Sequence, residues 1–371
     1  MTKDANIGND RTGGSRRKTR VRPPVVHFEE KFTPKSKAPD PFGIDSLGRH
    51  AVDRGFADGS TPQSQCILER IGYQHASSYF DLFKDDNGIV GSEASMKMLH
   101  RAILFDRKLQ ALMMEHIGLF ELRFRAQYSY RMSTERGAFA HRNPRNFRDK
   151  GYFDGFLKTY SDEFNRQLRN RNADIARAYE TYGDAPIWLA VEIMSFGTLS
   201  KLYSNTKSKV VRREVATAFG ATPDELESWM RALSGVRNTC AHFGRLCGTK
   251  LVRRPKSLRG IDIDNGSPFY VLLLLEYMAR DWPLFEDDTS LAYGIALLRD
   301  VAQLFVEFED VLTLCGIPEN WVEVIFSPSV TGGGIVTSDD FYNRDDTTGR
   351  VWFRIRFANG KHIDVGRFRT G

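Results

Sequence analysis

Apolar residues recur at helical spacing through most of the middle of the chain. In "CILERIGYQHASSYFDLF" (66–83), Ile67, Ile71, Ala76 and Phe80 fall near one face, which predicts an amphipathic helix. "LFDRKLQALMMEHIGLFELRFRAQYSYRM" (104–132) carries a longer stripe of Leu109, Leu112, Met113, His116, Ile117, Phe120 and Phe124. "APIWLAVEIMSFGTLSKLY" (185–203) starts with Pro186 in its first turn and reads as one helix that runs apolar through Trp188, Val191, Ser195, Leu199 and Leu202. "TPDELESWMRALSGVRNTCAH" (222–242) opens on a capping signature, with Thr222 three residues before Glu225 and Pro223 at the first helical position. Two further helices are expected around 268–280 and 290–315. The period then changes. "RVWFRIRF" (350–357) alternates strictly, and Asn359-Gly360 is a favoured two-residue hairpin turn before Ile363 and Val365.

The pattern therefore predicts an all-α body with a small β appendage. Residues 1–62 show no apolar periodicity, are rich in Gly, Pro, Lys and Arg, and read as a disordered basic tail. Residues 63–325 form the helical domain. Residues 326–371 read as a Gly-rich linker followed by the β-hairpin.

Charge refines that division. Of the formal net charge of +6, the first forty residues contribute +5, so the folded body is near neutral and nucleic-acid binding there requires a local patch. The cluster Arg16, Arg17, Lys18, Arg20 and Arg22 is either an RNA- or DNA-binding arm or a solvated tail. No apolar run approaches the ~20 residues of a membrane span, and the N-terminus carries no signal-like segment, which points to a cytoplasmic protein with no membrane partner. Four scattered cysteines without a paired spacing argue against a disulfide scaffold. Cys240, His242 and Cys247 lack a fourth ligand for zinc, so no metal or cofactor is expected.

The densest candidate chemistry is "SGVRNTCAHFGRL" (234–246), at the end of a predicted helix. At about 100° per residue, Asn238, His242 and Arg245 share one narrow face with Arg237 on its flank. Histidine titrates near neutrality and arginine matches phosphate oxygens, so the set suits RNA cleavage by attack of a ribose 2′-OH. One helix supplies one histidine, however, whereas acid–base cleavage is better served by two. A twofold homodimer with a composite site supplies both. The same residues are equally compatible with a polar helix end that satisfies its own carbonyls.

"RNTCAH" also has the R-x4-H form that marks the HEPN superfamily of ribonucleases. Together with "LERIGYQHASSYF", "LFDRKLQALMMEHIGLFELRFR", "PIWLAVEIMSFGTLSKLYSN" and "GIPENW", in that order, it resembles the Abi-like abortive-infection proteins of the AbiD/AbiF type. The resemblance spans roughly residues 64 to 322. It implies an all-helical HEPN-like bundle with extra helices, a homodimer, metal-independent endoribonuclease activity and a role in phage defence. By position it makes Arg237 and His242 the catalytic pair and Asn238 the polar residue between them. Phe243 stands where the family often has a second histidine, and Cys247-Gly248 where Trp-Asn is usual.

Other positions carry secondary expectations. Glu192, inside an apolar helical pattern, would need a buried arginine partner, Arg237 or Arg125, and is either a support for the site or an internal brace. Glu121 and Arg125 read as an intrahelical pair. Lys207, Lys209, Arg212 and Arg213 are possible RNA contacts or a solvated helix face. Trp352, Arg354 and Arg356, on one face of the terminal strand, either stack on bases and pair with phosphates or form the solvated basic face of a half-buried hairpin. Two alternatives to an active nuclease are a non-catalytic RNA-binding protein and a toxin restrained by an antitoxin RNA or protein, with a phage-derived trigger.

Overall fold

The computed structural model describes residues 42–279 and 293–331, and the strand residues 335–336, 342–345, 350–357 and 362–367. The helices are α1 (Ile44–Asp53), α2 (Pro62–Ile71), α3 (Tyr73–Ser77), α4 (Met96–Arg136), α5 (Lys150–Arg169), α6 (Ala173–Tyr182) and α7 (Ile187–Ala190). Then come α8 (Phe196–Asn205), α9 (Lys209–Thr217), α10 (Pro223–Ala241), α11 (Pro268–Ala279), α12 (Tyr293–Glu307), α13 (Trp321–Ile325) and α14 (Pro328–Thr331).

The organising element is α4, 41 residues long and thus roughly 60 Å. Ser95 caps its start by accepting from the Met98 N–H at 3.2 Å, and the Asp58 carboxylate accepts from the Met96 N–H at 2.9 and 3.0 Å. Leu109, Met113, Ile117, Phe120, Phe124, Tyr128 and Met132 recur at three- and four-residue steps, Leu99 and Ile103 precede them, and all are buried. Helices α7, α8, α9, α10, α11 and α12 all pack along α4. A single hydrophobic core results, joined by edge-to-face contacts such as Phe124 with Tyr203.

Three sequence expectations change. The stretch 66–83 is not one helix: Gly72, at φ +84°, separates α2 from α3, and a short 3₁₀ turn follows at Phe80–Phe83. The stretch 185–203 also breaks. After α7 a 3₁₀ turn spans Val191–Ile193, Met194 is extended, and Ser195 caps α8 through the Thr198 N–H at 3.2 Å. The Arg125 guanidinium holds this break open to the core by donating to the carbonyls of Val191 and Met194, the latter at 2.7 Å, and by pairing with Glu121. Finally, α1 lies within the stretch read as tail, with Ala51 fully buried, so part of that stretch is folded; residues 1–41 of the expected tail lie outside the described residues.

The strands β1 (Ile335–Val336), β2 (Tyr342–Asp345), β3 (Arg350–Phe357) and β4 (His362–Arg367) form one antiparallel sheet. The sequence predicts a small β-hairpin alone; among the described residues four strands are found in place of two. β3 is flanked by β4 on one edge and by β1 and β2 on the other, and β4 lies beside α12. Asn359-Gly360, the expected turn, lies outside the described residues.

Candidate functional site

Helix α10 is fixed at both ends and along one side. At its start, the Thr222 hydroxyl accepts from the Glu225 N–H at 3.3 Å while the Glu225 carboxylate accepts from the Thr222 N–H at 2.8 Å. Leu226, Trp229, Met230, Leu233, Val236 and Cys240 face the core, and the Trp229 indole donates to the Lys256 carbonyl at 2.9 Å. The opposite side carries the candidate chemistry. Arg237 is half-buried, and Asn238 and His242, one turn apart, are exposed. Among the described residues none of these three side chains has a hydrogen-bond or ion-pair partner, so they are not consumed in capping their own helix.

The helix ends at Ala241, with His242 as the cap residue. The Phe243 N–H returns to the Cys240 carbonyl at 3.1 Å and the Gly244 N–H to the Thr239 carbonyl at 2.8 Å, the paired bonds of a Schellman motif. Phe243 takes the left-handed position, φ +54°, that glycine usually fills, and its ring is 65% exposed beside His242. This reversal corrects the helical wheel. Arg245 is no longer on the helix and does not share the face of Asn238 and His242. It turns back with its guanidinium 5.8 Å from the centre of the Tyr79 ring, and its Nη1 is buried without a hydrogen-bond partner.

What holds the chain after the turn is a residue that the sequence pattern did not single out. Asp106 of α4, fully buried, accepts from the backbone N–H of Leu246 at 3.1 Å and of Cys247 at 2.9 Å. It also accepts from the Tyr79 hydroxyl at 2.6 Å and the Gln110 amide at 3.1 Å, and that amide donates to the Gly244 carbonyl at 3.1 Å. Burial, with the Asp106 carboxylate second, pushes the Tyr79 hydroxyl far above its ordinary range, which keeps it a donor. Gly248 follows at φ +62°, a left-handed conformation that strains other residues, and a Cβ there would stand 2.3 Å from Leu82 Cδ2, so that side chain would have to move. Cys247 therefore packs inward, while Gly248 is exposed.

The remaining candidates separate. Cys240 and Cys247 face the core while His242 faces out, and burial pushes the Cys240 thiol up to about 12. Among the described residues no cluster of His, Cys, Asp or Glu is disposed to hold a metal ion. Glu192 is exposed on its 3₁₀ turn and makes no ion pair among the described residues. The buried-carboxylate expectation fails because the helix breaks at that point and Arg125 serves Glu121 and two carbonyls instead. Arg212 is buried and paired with Glu227 at 2.6 Å, whereas Lys207, Lys209 and Arg213 are exposed. Trp352, Arg354 and Arg356 share one face of β3, with Arg354 opposite Asp364. The side chain of Arg354 is half-buried, and those of Trp352 and Arg356 lie outside the described residues.

The model of the Abi-like protein family matches residues 66–247. The chain belongs to the Abi-like family. The matched stretch runs from α2 through α10 and ends at Cys247, the residue that Asp106 holds, so it contains the α10 terminus and its whole anchor. A search of curated proteins and a search of solved structures each return no match. The Abi-like chain also has no helix, among the described residues, long and apolar enough to cross a membrane.

Proposed function

We propose that this Abi-like chain is an endoribonuclease of the HEPN type acting in abortive infection of phage-infected bacteria. The observation that carries the reading is the α10 terminus, where Arg237, Asn238 and His242 stand without protein partners on a rigidly anchored helix end. In this reading the Arg237 guanidinium binds the scissile phosphate and offsets charge developing on it. His242 exchanges the proton of the attacking 2′-OH or of the leaving 5′-oxygen, and Asn238 orients the imidazole or the phosphate. Arg245, turned onto Tyr79, supports the loop and does not touch substrate.

The terminus is an open shelf. Two cavities, one ringed by Arg136, Arg145, Lys207 and Lys209 and one walled by Phe147, Tyr152, Phe153 and Phe156, do not include Arg237, Asn238 or His242 in their linings. A second copy facing the first across a twofold axis would close the shelf and bring in the second histidine.

Expression in a bacterial host tests the role. Wild type is expected to arrest growth and leave new RNA ends, and His242→Ala is expected to do neither. Equal arrest by a folded His242→Ala chain would contradict it.

A further inference from the structure

A second site lies where the last turn of α4, the Pro144–Asn146 turn and the start of α9 meet. They enclose a cavity of about 360 Å³, within the size range of small-ligand sites. Its inner wall is Met132, Asn146 and Ser208, all buried. Each is held in place by the surrounding backbone. The Lys207 N–H donates to the Asn146 carbonyl at 2.8 Å, Phe147 bridges Thr206, and the Asn146 amide donates to the Ala140 carbonyl at 2.9 Å.

The rim is cationic: Arg136, Arg145, Lys207 and Lys209. Among the described residues Arg145, Lys207 and Lys209 form no ion pair. The single carboxylate of the lining, Glu135, is already engaged by the Ser208 hydroxyl at 2.7 Å and by Arg136 at 2.8 Å. Three unpaired cations thus line a preformed hollow whose one carboxylate is already engaged. In a near-neutral folded body this is a local excess of positive charge, and like charges held near one another repel at some cost. A ligand carrying several negative charges close together offsets that cost, and phosphates suit both the arginine fork and the lysine ammonium groups.

We infer that this cavity is a binding site for closely spaced phosphate groups, supplied either by an RNA strand or by a free nucleoside polyphosphate. It is separate from the α10 terminus and does not depend on cleavage there. The lining therefore carries four cations, Arg136, Arg145, Lys207 and Lys209, against the one carboxylate of Glu135.

Titration calorimetry of the full chain with inorganic tripolyphosphate tests this. Wild type is expected to bind one tripolyphosphate per chain, with affinity falling as salt rises. The double variant Arg145→Gln/Lys207→Gln, which alters two exposed side chains without partners, is expected to bind about tenfold more weakly or worse. Lys97→Gln/Lys158→Gln removes the same charge elsewhere on the surface and is expected to bind like wild type. Displacement by a single-stranded oligoribonucleotide assigns the phosphates to a strand, and displacement by a nucleoside triphosphate alone assigns them to a free nucleotide; either upholds the site. No binding to wild type, or equal weakening by both double variants, overturns it. Cleavage by an Arg145→Gln/Lys207→Gln chain separates this result from the fate of the α10 reading.

Discussion

The Asp106 carboxylate receives the Cys247 N–H at 2.9 Å across 141 residues of sequence, and so ties the N-terminal third of α4 to the chain leaving α10. Asp106→Ala would strand two backbone N–H groups and the Tyr79 hydroxyl in the core. We expect a loss of about 3 kcal/mol of stability, since each buried unsatisfied group costs about 1–3 kcal/mol. Asp106→Asn keeps an acceptor and is expected to lose less. Urea denaturation measures both, and an Asp106→Ala chain as stable as wild type would disprove the anchoring role.

Phe243 poses a trade-off. Replacing it with glycine removes a side chain from a left-handed position and is expected to gain about 0.5–1 kcal/mol. The same change removes an exposed ring beside His242, a surface on which a base can stack, so RNA affinity is expected to fall. A thermal melt alongside an RNA-binding titration checks both signs. Unchanged affinity would make Phe243 a purely structural oddity.

Arg125 and Glu192 were candidates for one ion pair and turn out to do unrelated things. Arg125→Ala leaves the Val191 and Met194 carbonyls and the Glu121 carboxylate without their donor. We expect it to cost about 3–5 kcal/mol, as breaking a buried ion pair does. Glu192→Gln is expected to leave the denaturation midpoint unchanged. Equal effects of the two substitutions would restore the pairing.

Acid sensitivity should trace in part to His141. Both ring nitrogens are buried without hydrogen-bond partners, and the ring sits edge-on to Tyr160 at 5.2 Å. Burial lowers its pKa from 6.5 to about 4. The unfolded chain therefore binds a proton that the folded chain refuses between those values. The contribution is fully present above about pH 6.5 and is lost as pH falls toward 4, amounting to about 3 kcal/mol at most. His141→Phe keeps a ring against Tyr160 and is expected to flatten the stability profile over that window. An unchanged slope would rule His141 out.

How much of this was legible in sequence follows from the range of each interaction. The capping box at Thr222, the stripe along α4 and the Glu121–Arg125 pair are local, with partners three or four residues apart, and spacing reveals them. Asp106 was invisible because a lone aspartate on an amphipathic helix looks solvated, and its partners lie far along the chain. Arg245 was misplaced on the helical wheel because Phe243 stands where glycine would have signalled the end of α10. The break at Glu192 was hidden in an apolar run, although Ser195 is a capping residue whose signal the apolar pattern outweighed. Within the basic run, only folding decides that Arg212 turns inward to Glu227 while Lys207 and Lys209 ring a cavity.

The central claim is that His242 carries out RNA cleavage at the α10 terminus, and end-group analysis of RNA exposed to purified protein in EDTA tests it most directly. Wild type is expected to yield 2′,3′-cyclic phosphate ends, and His242→Ala and Arg237→Ala, each with an unchanged melting curve, to yield none. Cleavage by well-folded His242→Ala at the wild-type rate would contradict the account.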